Sequence, residues 1–107
     1  MENVFQPIPK QVRLVDPKAY FHAQKSYCER CGEQVQGKPH HIRTRASGGP
    51  DHPYNLIQLC GFCHYGDLPD GKISREELFN IVADREGVDV KVVIETVRRL
   101  TRGVSQL

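Results

Sequence analysis

Hydrophobic residues recur at helical spacing most clearly in the last third of the chain. Ser74 followed by Glu77 forms a capping box, which predicts a helix that runs to about Glu86 and ends at Gly87. Asp89 can cap a final helix. The apolar positions of that helix follow one another at intervals of three and four residues: Val90, Val93, Ile94, Val97 and Leu100. The pattern therefore predicts a C-terminal helical hairpin.

The first two thirds of the chain contain shorter elements. Asp16 and Pro17 mark the start of a short helix over residues 18–25, with Asp16 as the N-cap. Short strands are predicted around residues 37–42 and 56–59, and Pro39 places the first at a sheet edge or end. Residues 46–53 are dense in turn formers and are predicted to form a loop.

The size and composition of the chain favour one small domain with an additional stabilising element. It has 107 residues, of which 38% are hydrophobic, and it contains no Trp. So thin a core usually needs a metal or a disulfide. We expect no signal peptide, because the N-terminal residues lack an apolar run. We expect no membrane span, because no stretch approaches the roughly 20 apolar residues that one requires. A cytoplasmic, reducing location is therefore predicted, in which four cysteines indicate a metal site.

Charge adds little to this picture. The formal net charge is +2. Residues 1–65 carry eight Lys/Arg against five Asp/Glu, whereas residues 66–107 carry seven against eight. A solvated mixed surface explains this distribution as well as a nucleic-acid partner does.

The four cysteines form two pairs with metal-binding spacing. Cys28 and Cys31 are separated by two residues, and so are Cys60 and Cys63. Each gap allows a tight turn to direct both thiolates at one ion, and two such turns complete a tetrahedral zinc site. A site closed by four thiolates has no open position for water. We therefore predict a structural zinc that does no chemistry itself.

Three of the five histidines lie beside these cysteine pairs. His40 and His41 are adjacent in the segment between the pairs, and His64 directly follows Cys63. His22 and His52 are interpreted as surface or structural residues. The ordered elements between Cys28 and His64 closely resemble the four-cysteine branch of the HNH endonucleases. They are His40-His41, Gly48-Gly49, Asp51, Asn55, Leu59-Cys60 and Cys63-His64, with a softer likeness in the lead-in Arg13-Leu14-Val15-Asp16-Pro17.

The resemblance implies a role for each polar residue. It implies that His40 and His64 bind a catalytic divalent ion, such as Mg²⁺, Mn²⁺, Ni²⁺ or Zn²⁺. His41 would be the general base, and the products would carry 5′-phosphate and 3′-hydroxyl ends. Asn55 would either orient the base and its loop or reach the metal, and the sequence leaves these alternatives open. Asp51 is interpreted as shaping the loop rather than as a ligand.

Two features of the sequence depart from the roles that the resemblance implies. Adjacent histidines in a strand should point to opposite faces, so one of His40 and His41 has a structural alternative. Gly66 and Pro69 should make the helix of the motif very short, which puts a third histidine ligand in doubt.

DNA contacts are predicted from the basic residues beside the histidine pair. These are Lys38, Arg43 and Arg45, and simple alternation would place the two arginines on one side. Arg30 and the arginines of the last helix are outer candidates. Ordinary surface charge is the alternative for all of them.

The predicted fold is α+β, a small ββα-metal nuclease core stapled by a four-cysteine zinc site. A short N-terminal helix precedes the core and a C-terminal helical hairpin follows it. Residues 1–66 would form the nuclease domain with its N-terminal arm, and residues 67–107 a helical extension packed in the same unit. The predicted function is metal-dependent hydrolysis of DNA phosphodiester bonds, by a monomer or homodimer of phage or bacterial origin. The alternative is a noncatalytic zinc module that binds nucleic acid, or an adaptor within a larger phage or defence complex.

Overall fold

The computed structural model describes residues 13–101. Residues 1–12 of the predicted N-terminal arm, which spans residues 1–15, lie outside this range. Arg102, one of the arginines predicted near the end of the last helix, also lies outside it. The described elements form an α+β fold with a two-stranded sheet, short helices and a helical pair.

The sheet consists of two very short antiparallel strands. Strand β1 is His40–His41 and strand β2 is Leu56–Ile57, with His40 opposite Ile57 and His41 opposite Leu56. The predicted strand lengths were wrong for identifiable reasons. Pro39 has no N–H to donate to a ladder. The backbone of Gln58 pairs with Glu29 instead, through its carbonyl with the Glu29 N–H and through its N–H with the Glu29 carboxylate.

The short helices follow the local signals in the sequence. Helix α1 is Pro17–His22, and its N-cap Asp16 accepts a hydrogen bond from the Ala19 N–H at 3.2 Å. It ends earlier than predicted. A 3₁₀ turn, Pro53–Asn55, leads into β2. A six-residue helix, Phe62–Asp67, follows the second cysteine pair, and we term it the knuckle helix. Its shortness agrees with the prediction.

The C-terminal helical hairpin is confirmed almost to the residue. Helix α2 is Arg75–Glu86 and helix α3 is Val90–Leu100. The Ser74 hydroxyl accepts from the Glu77 N–H at 3.0 Å, as the capping box predicts. Gly87 ends α2 with a φ of 70°, a left-handed conformation that favours glycine. The Asp89 carboxylate caps α3 through the Lys91 N–H at 2.7 Å.

One hydrophobic cluster connects the hairpin to the cysteine region. Helix α2 packs against α3, against β2 and against the 3₁₀ turn. The most deeply buried members come from all these parts: Cys28, Ile57, Cys63, Leu78, Val82, Val93 and Val97. Each buried aliphatic side chain of this kind contributes roughly 1.5–3 kcal/mol of hydrophobic free energy. None of the helices within residues 13–101 combines the length and apolar character that a membrane span requires.

A polar cluster centred on Arg85 fixes α2 to the first cysteine turn. The Arg85 Nη1 donates to both carboxylate oxygens of Glu29, at 3.0 and 3.2 Å, and to the Leu56 carbonyl at 3.0 Å. Its Nη2 donates to the Pro53 carbonyl at 2.6 Å. The Glu29 side chain is only 5% exposed. A buried carboxylate needs such a partner, since an unpaired buried charge is strongly destabilising.

Replacing Arg85 tests whether this cluster stabilises the fold. Arg85→Ala leaves the buried Glu29 carboxylate with only the Gln58 N–H and the more distant Lys25 ammonium, and it removes a donor from two carbonyls. We expect a loss of about 2–4 kcal/mol in the free energy of unfolding. Urea unfolding monitored by circular dichroism measures it. The matched control is Arg98→Ala, which removes an exposed ion pair with Glu95 and should barely shift the midpoint. Equal effects of the two substitutions would contradict this account.

Candidate metal centres and active site

The four cysteines converge on one point although they lie in distant parts of the sequence. The Sγ atoms of all four lie within 4.8 Å of one another. The Sγ of Cys28 is 3.8 Å from that of Cys63, and the Sγ of Cys31 is 3.6 Å from that of Cys60. All four are free thiols, so no disulfide competes for the sulfur atoms.

The dimensions of this cluster fit a tetrahedral zinc ion. A Zn–S distance of about 2.3 Å places tetrahedral sulfurs about 3.8 Å apart, close to the separations observed here. Backbone N–H groups also stabilise the negative charge of thiolate sulfurs by donating hydrogen bonds to them. The Cys31 N–H donates to the Cys28 Sγ and the Cys63 N–H to the Cys60 Sγ, each at 3.5 Å. The donor set is therefore suited to zinc, and it is the only group of three or more potential ligands in the part of the chain that the structure describes.

Arg30 contacts the cysteine cluster and two neighbouring carboxylates. Its Nη1 lies 3.6 Å from the Cys63 Sγ and 3.2 Å from the Asp67 carboxylate, and its Nε donates to Glu77 at 2.9 Å. The guanidinium thus links the cysteine cluster to the knuckle helix and to α2. Two carboxylates and a thiol thus engage the Nε and Nη1 of Arg30, and its role as an outer DNA contact stays a prediction.

The cysteine turns also determine where His64 lies. The His64 N–H donates to the Cys60 carbonyl at 2.9 Å, so the second cysteine turn fixes the backbone of this residue. The imidazole of His64 faces that of His40, with ring centres 4.4 Å apart and planes at 62°. On its other side His64 stacks on the exposed ring of Tyr65, at 4.3 Å.

The histidine pair has a geometry suited to sharing one ion. With metal–nitrogen bonds of about 2.1 Å, two imidazoles at 90° on one octahedral ion have ring centres about 4.5 Å apart, and on a tetrahedral ion about 5.2 Å apart. Burial, followed by the charge of His64, lowers the pKa of His40 to about 4, and burial also lowers the pKa of His64. Both rings are therefore neutral at pH 7, the state that binds metals. Within residues 13–101 no third His, Cys, Asp or Glu completes a cluster with them.

His41 points away from the pair and is held by Asp51. Its Nε2 lies 2.7 Å from the Asp51 Oδ1, and its ring stacks on Tyr20 with centres 5.4 Å apart. The neighbouring histidines therefore follow the alternation of the strand. Both still line one surface cleft of about 280 Å³, whose other walls include His64 and Arg45.

The buried Asp51 is itself fixed by the lead-in segment before α1. Arg13 donates to the Asp51 Oδ1 and to the Gly49 carbonyl, and the Asp16 N–H donates to the Asp51 Oδ2 at 3.0 Å. Burial by itself would raise the pKa of Asp51, but the hydrogen bonds from Arg13 and His41 outweigh it and lower that pKa. The carboxylate is thus ionised at neutral pH and can only accept.

The ionised state of Asp51 determines the tautomer of His41. Because the carboxylate can only accept, the Nε2 of His41 must carry the proton. The Nδ1 of the neutral ring is then a free acceptor. Burial lowers the pKa of His41, and the bond to Asp51 offsets this only in part, so the ring is neutral at pH 7.

Asn55 holds the loop that follows β1. It is completely buried, and its Oδ1 accepts from the Arg43 N–H at 2.8 Å. Its Nδ2 donates to the carbonyls of Arg43 and Pro50, both at 3.0 Å. The amide therefore faces the loop backbone. Gly49 belongs to the same loop, where a Cβ would lie 1.8 Å from the Arg43 carbonyl oxygen, so only glycine fits.

The predicted DNA-contacting residues are at least partly exposed to solvent. Lys38 and Arg45 are exposed and Arg43 is half-buried. Arg43 and Arg45 form no ion pair within the described range. They lie in the turn after β1, so the alternation used to place them on one side does not apply. Arg45 lines the cleft with the histidines.

Sequence reasoning missed the importance of Asp51 and Arg13. Both stood in segments that matched the resemblance, but nothing in the sequence indicated that they contact each other. The two remaining histidines are structural or exposed, as predicted. His52 caps the 3₁₀ turn through its Nδ1, which accepts from the Tyr54 N–H at 3.0 Å, and His22 is exposed.

Comparison with known proteins agrees with this arrangement. Residues 28–66 match the family model described as HNH endonuclease. This segment contains both cysteine pairs and all three clustered histidines, so the resemblance drawn from the sequence is confirmed. No curated protein and no solved structure gives a significant match to the chain.

The cysteine cluster leads to a direct prediction about metal content and folding. We expect the purified chain to contain one zinc ion, measured by elemental analysis, and Cys28→Ser to lose both the zinc and the folded state. The matched control is Ser26→Ala, an exposed position two residues away, which should keep both. A Cys28→Ser variant that stays folded and loaded with zinc would contradict the role given to the cluster.

Proposed function

We propose that this chain, whose residues 28–66 form an HNH endonuclease segment, hydrolyses phosphodiester bonds of DNA. In this proposal the cysteine cluster holds a structural zinc, and His40 and His64 hold one catalytic divalent ion. His41 is the general base. The observation that carries the proposal is the pairing of His41 with an ionised Asp51, on a ring that lines the same cleft as His40 and His64.

The histidine pair suits a catalytic metal site because two protein ligands do not fill the coordination sphere of an ion. Two neutral imidazoles leave several coordination positions for water and a phosphate oxygen, unlike the four closed thiolates. When bound, a divalent ion such as Mg²⁺, Mn²⁺, Ni²⁺ or Zn²⁺ would supply positive charge to the scissile phosphate and the leaving oxygen.

His41 has the properties of a base that accepts a proton from water. Its ring is neutral at pH 7 and its Nδ1 is free, because Asp51 holds the proton on Nε2. As Nδ1 takes up a proton, the ring becomes positive, and the adjacent carboxylate of Asp51 stabilises that charge. Proton transfer by a positioned group of this kind typically contributes about 10²- to 10⁴-fold in rate.

The residues around His41 serve as positioning groups. Arg13 keeps Asp51 ionised and in place, so the lead-in segment takes part in orienting the base. Asn55 acts one step further away, since its amide shapes the loop that carries Gly49 and Asp51. Of the two roles open from the sequence, we propose the one in which Asn55 orients the loop.

Affinity for DNA would come from phosphate contacts. Lys38, Arg43 and Arg45 have no carboxylate partner in the described range, and Arg45 lies in the wall of the cleft. Contacts to phosphates give affinity without sequence information. We therefore propose weak or no sequence preference.

The hairpin is proposed to be part of the same folded unit, because α2 shares its core with the cysteine region. The nuclease unit proper would comprise residues 1–66 and the helical extension residues 67–107. Four free thiols at a metal cluster suit a reducing cytoplasm, the location that we propose.

Plasmid cleavage with and without His41 tests the proposed reaction. Supercoiled DNA with Mg²⁺ or Mn²⁺ should be converted to nicked or linear form, and His41→Ala should slow this by about 10²-fold or more. His22→Ala, at an exposed histidine outside the cleft, is the control and should cleave normally. Cleavage that survives His41→Ala refutes this base. If no ion or DNA form supports cleavage, the noncatalytic binding or adaptor module is the better interpretation.

Asp51→Asn tests the orienting role of the carboxylate. The amide cannot stabilise the positive charge that forms on the His41 ring, and we expect kcat to fall by about 10²- to 10⁴-fold, the range associated with a positioned base and its carboxylate. The control is Asp70→Asn, at an exposed turn residue. A merely structural role would lower the melting temperature and leave kcat of the folded protein unchanged, and that result would exclude an effect on the base.

A further inference from the structure

Arg75 brings a positive charge from outside the HNH segment to the histidine strand. It is the first residue of α2, nine positions beyond the end of the matched segment at residue 66. Its Nε donates to the Ile42 carbonyl at 3.2 Å, and Ile42 directly follows His41. The guanidinium is therefore fixed against the backbone of the strand that carries His40 and His41.

The remaining donors of Arg75 have no partner among residues 13–101. The Ile42 carbonyl is its only described side-chain hydrogen bond, and it forms no ion pair in that range. By contrast, the other anchored arginines engage carboxylates: Arg13 with Asp51, Arg30 with Asp67 and Glu77, and Arg85 with Glu29. The Arg75 side chain is also exposed, so an anion from solution can reach it.

Arg75 lies close to the proposed catalytic site. The carbonyl that its guanidinium contacts belongs to Ile42, two positions after His40 and directly after His41. Together with Arg45 in the cleft wall, Arg75 would make the surroundings of the His40–His64 pair positive. An exposed, pre-positioned guanidinium suits a phosphate oxygen, because its planar fork can donate two hydrogen bonds at once.

We propose that Arg75 binds a phosphate of the DNA backbone beside the His40–His64 pair, so that the C-terminal hairpin extends the DNA-binding surface. The inference rests on the proposed function, since it assumes that DNA occupies the cleft. It assigns the hairpin a task besides packing: α2 places Arg75 at the histidine strand, where the short knuckle helix contributes no basic side chain other than His64.

The salt dependence of DNA binding tests this contact. The probe is a fluorescein-labelled 20-base-pair duplex, titrated with zinc-loaded His41→Ala protein to prevent cleavage, in KCl from 50 to 200 mM. One lost phosphate contact should lower the slope of log Kd against log salt by about 0.9. For Arg75→Gln, the increase in Kd between 50 and 200 mM should thus be about 3.5-fold smaller than for the parent.

Two further variants make the result specific. Arg75→Lys keeps the charge and should retain the parent slope with weaker binding, which also serves if Arg75→Gln is poorly folded. Lys91→Gln removes an exposed positive charge on α3 that is not among the proposed DNA contacts, and it should leave the slope unchanged.

The outcomes separate this inference from the proposed function. If the parent binds the duplex but Arg75→Gln keeps both its Kd and its slope, Arg75 only anchors α2 to the strand and the inference is overturned. A loss of slope in Arg75→Lys equal to that in Arg75→Gln also overturns it. If the parent itself does not bind DNA, the proposed function fails and the inference fails with it.

Discussion

The convergence of four thiols on one point is the constraint on which the rest of the structure depends. Cys28 and Cys31 lie at one end of the functional segment and Cys60 and Cys63 at the other, and their sulfurs lie within 4.8 Å. Closing a loop of this length costs conformational entropy, which a metal–thiolate site can offset. Once the ends are joined, the intervening chain has to return on itself, and β1 comes to lie beside β2.

The histidine cleft follows from this closure. His64 is the residue after Cys63, so the second cysteine turn places it opposite β1, where His40 faces it at 4.4 Å. The next residue along the strand, His41, contacts Asp51 and Tyr20 instead and still lines the cleft. The same fold thus produces one donor set that is closed and sulfur-rich and another that is open and nitrogen-rich, and these differ in the chemistry they permit.

The arginines of this small domain differ in whether they form an ion pair with a carboxylate in the described range. Arg13, Arg30 and Arg85 each contact a carboxylate that is largely buried or connects two elements, so they organise the interior. Arg43 and Arg45, beside the cleft, have no such partner in the described range. The modest net charge of +2 conceals this division, because it counts internal and solvent-facing charges alike.

The features that could be predicted from the sequence are those set by residues a few positions apart, such as helix ends and the turns of the cysteine pairs. Ser74, Gly87 and Asp89 marked the boundaries of α2 and α3, because capping involves residues only a few positions apart. The cysteine spacing predicted the metal cluster, because each pair acts through its own tight turn. Gly66 similarly indicated a short knuckle helix.

Contacts between distant residues could not be predicted in the same way. The pairs Arg13–Asp51 and Arg30–Glu77 span 38 and 47 positions. The sequence around a charged residue does not identify which distant residue it pairs with. The strands were predicted too long because the side chain of Glu29 takes up the Gln58 N–H that a ladder would use. The sequence left open whether Asn55 orients the loop or reaches a metal, because it does not show that the amide hydrogen-bonds the loop backbone.

Two metal centres of different character, a closed thiolate site and an open histidine site, are the central proposal for this chain. Anomalous X-ray diffraction from crystals of the zinc-loaded protein soaked in Mn²⁺ tests it most directly. The account predicts a zinc peak among the sulfurs of Cys28, Cys31, Cys60 and Cys63, and a manganese peak about 2.0–2.2 Å from a ring nitrogen of both His40 and His64. A map with manganese elsewhere, or with none at the histidine pair, would contradict it.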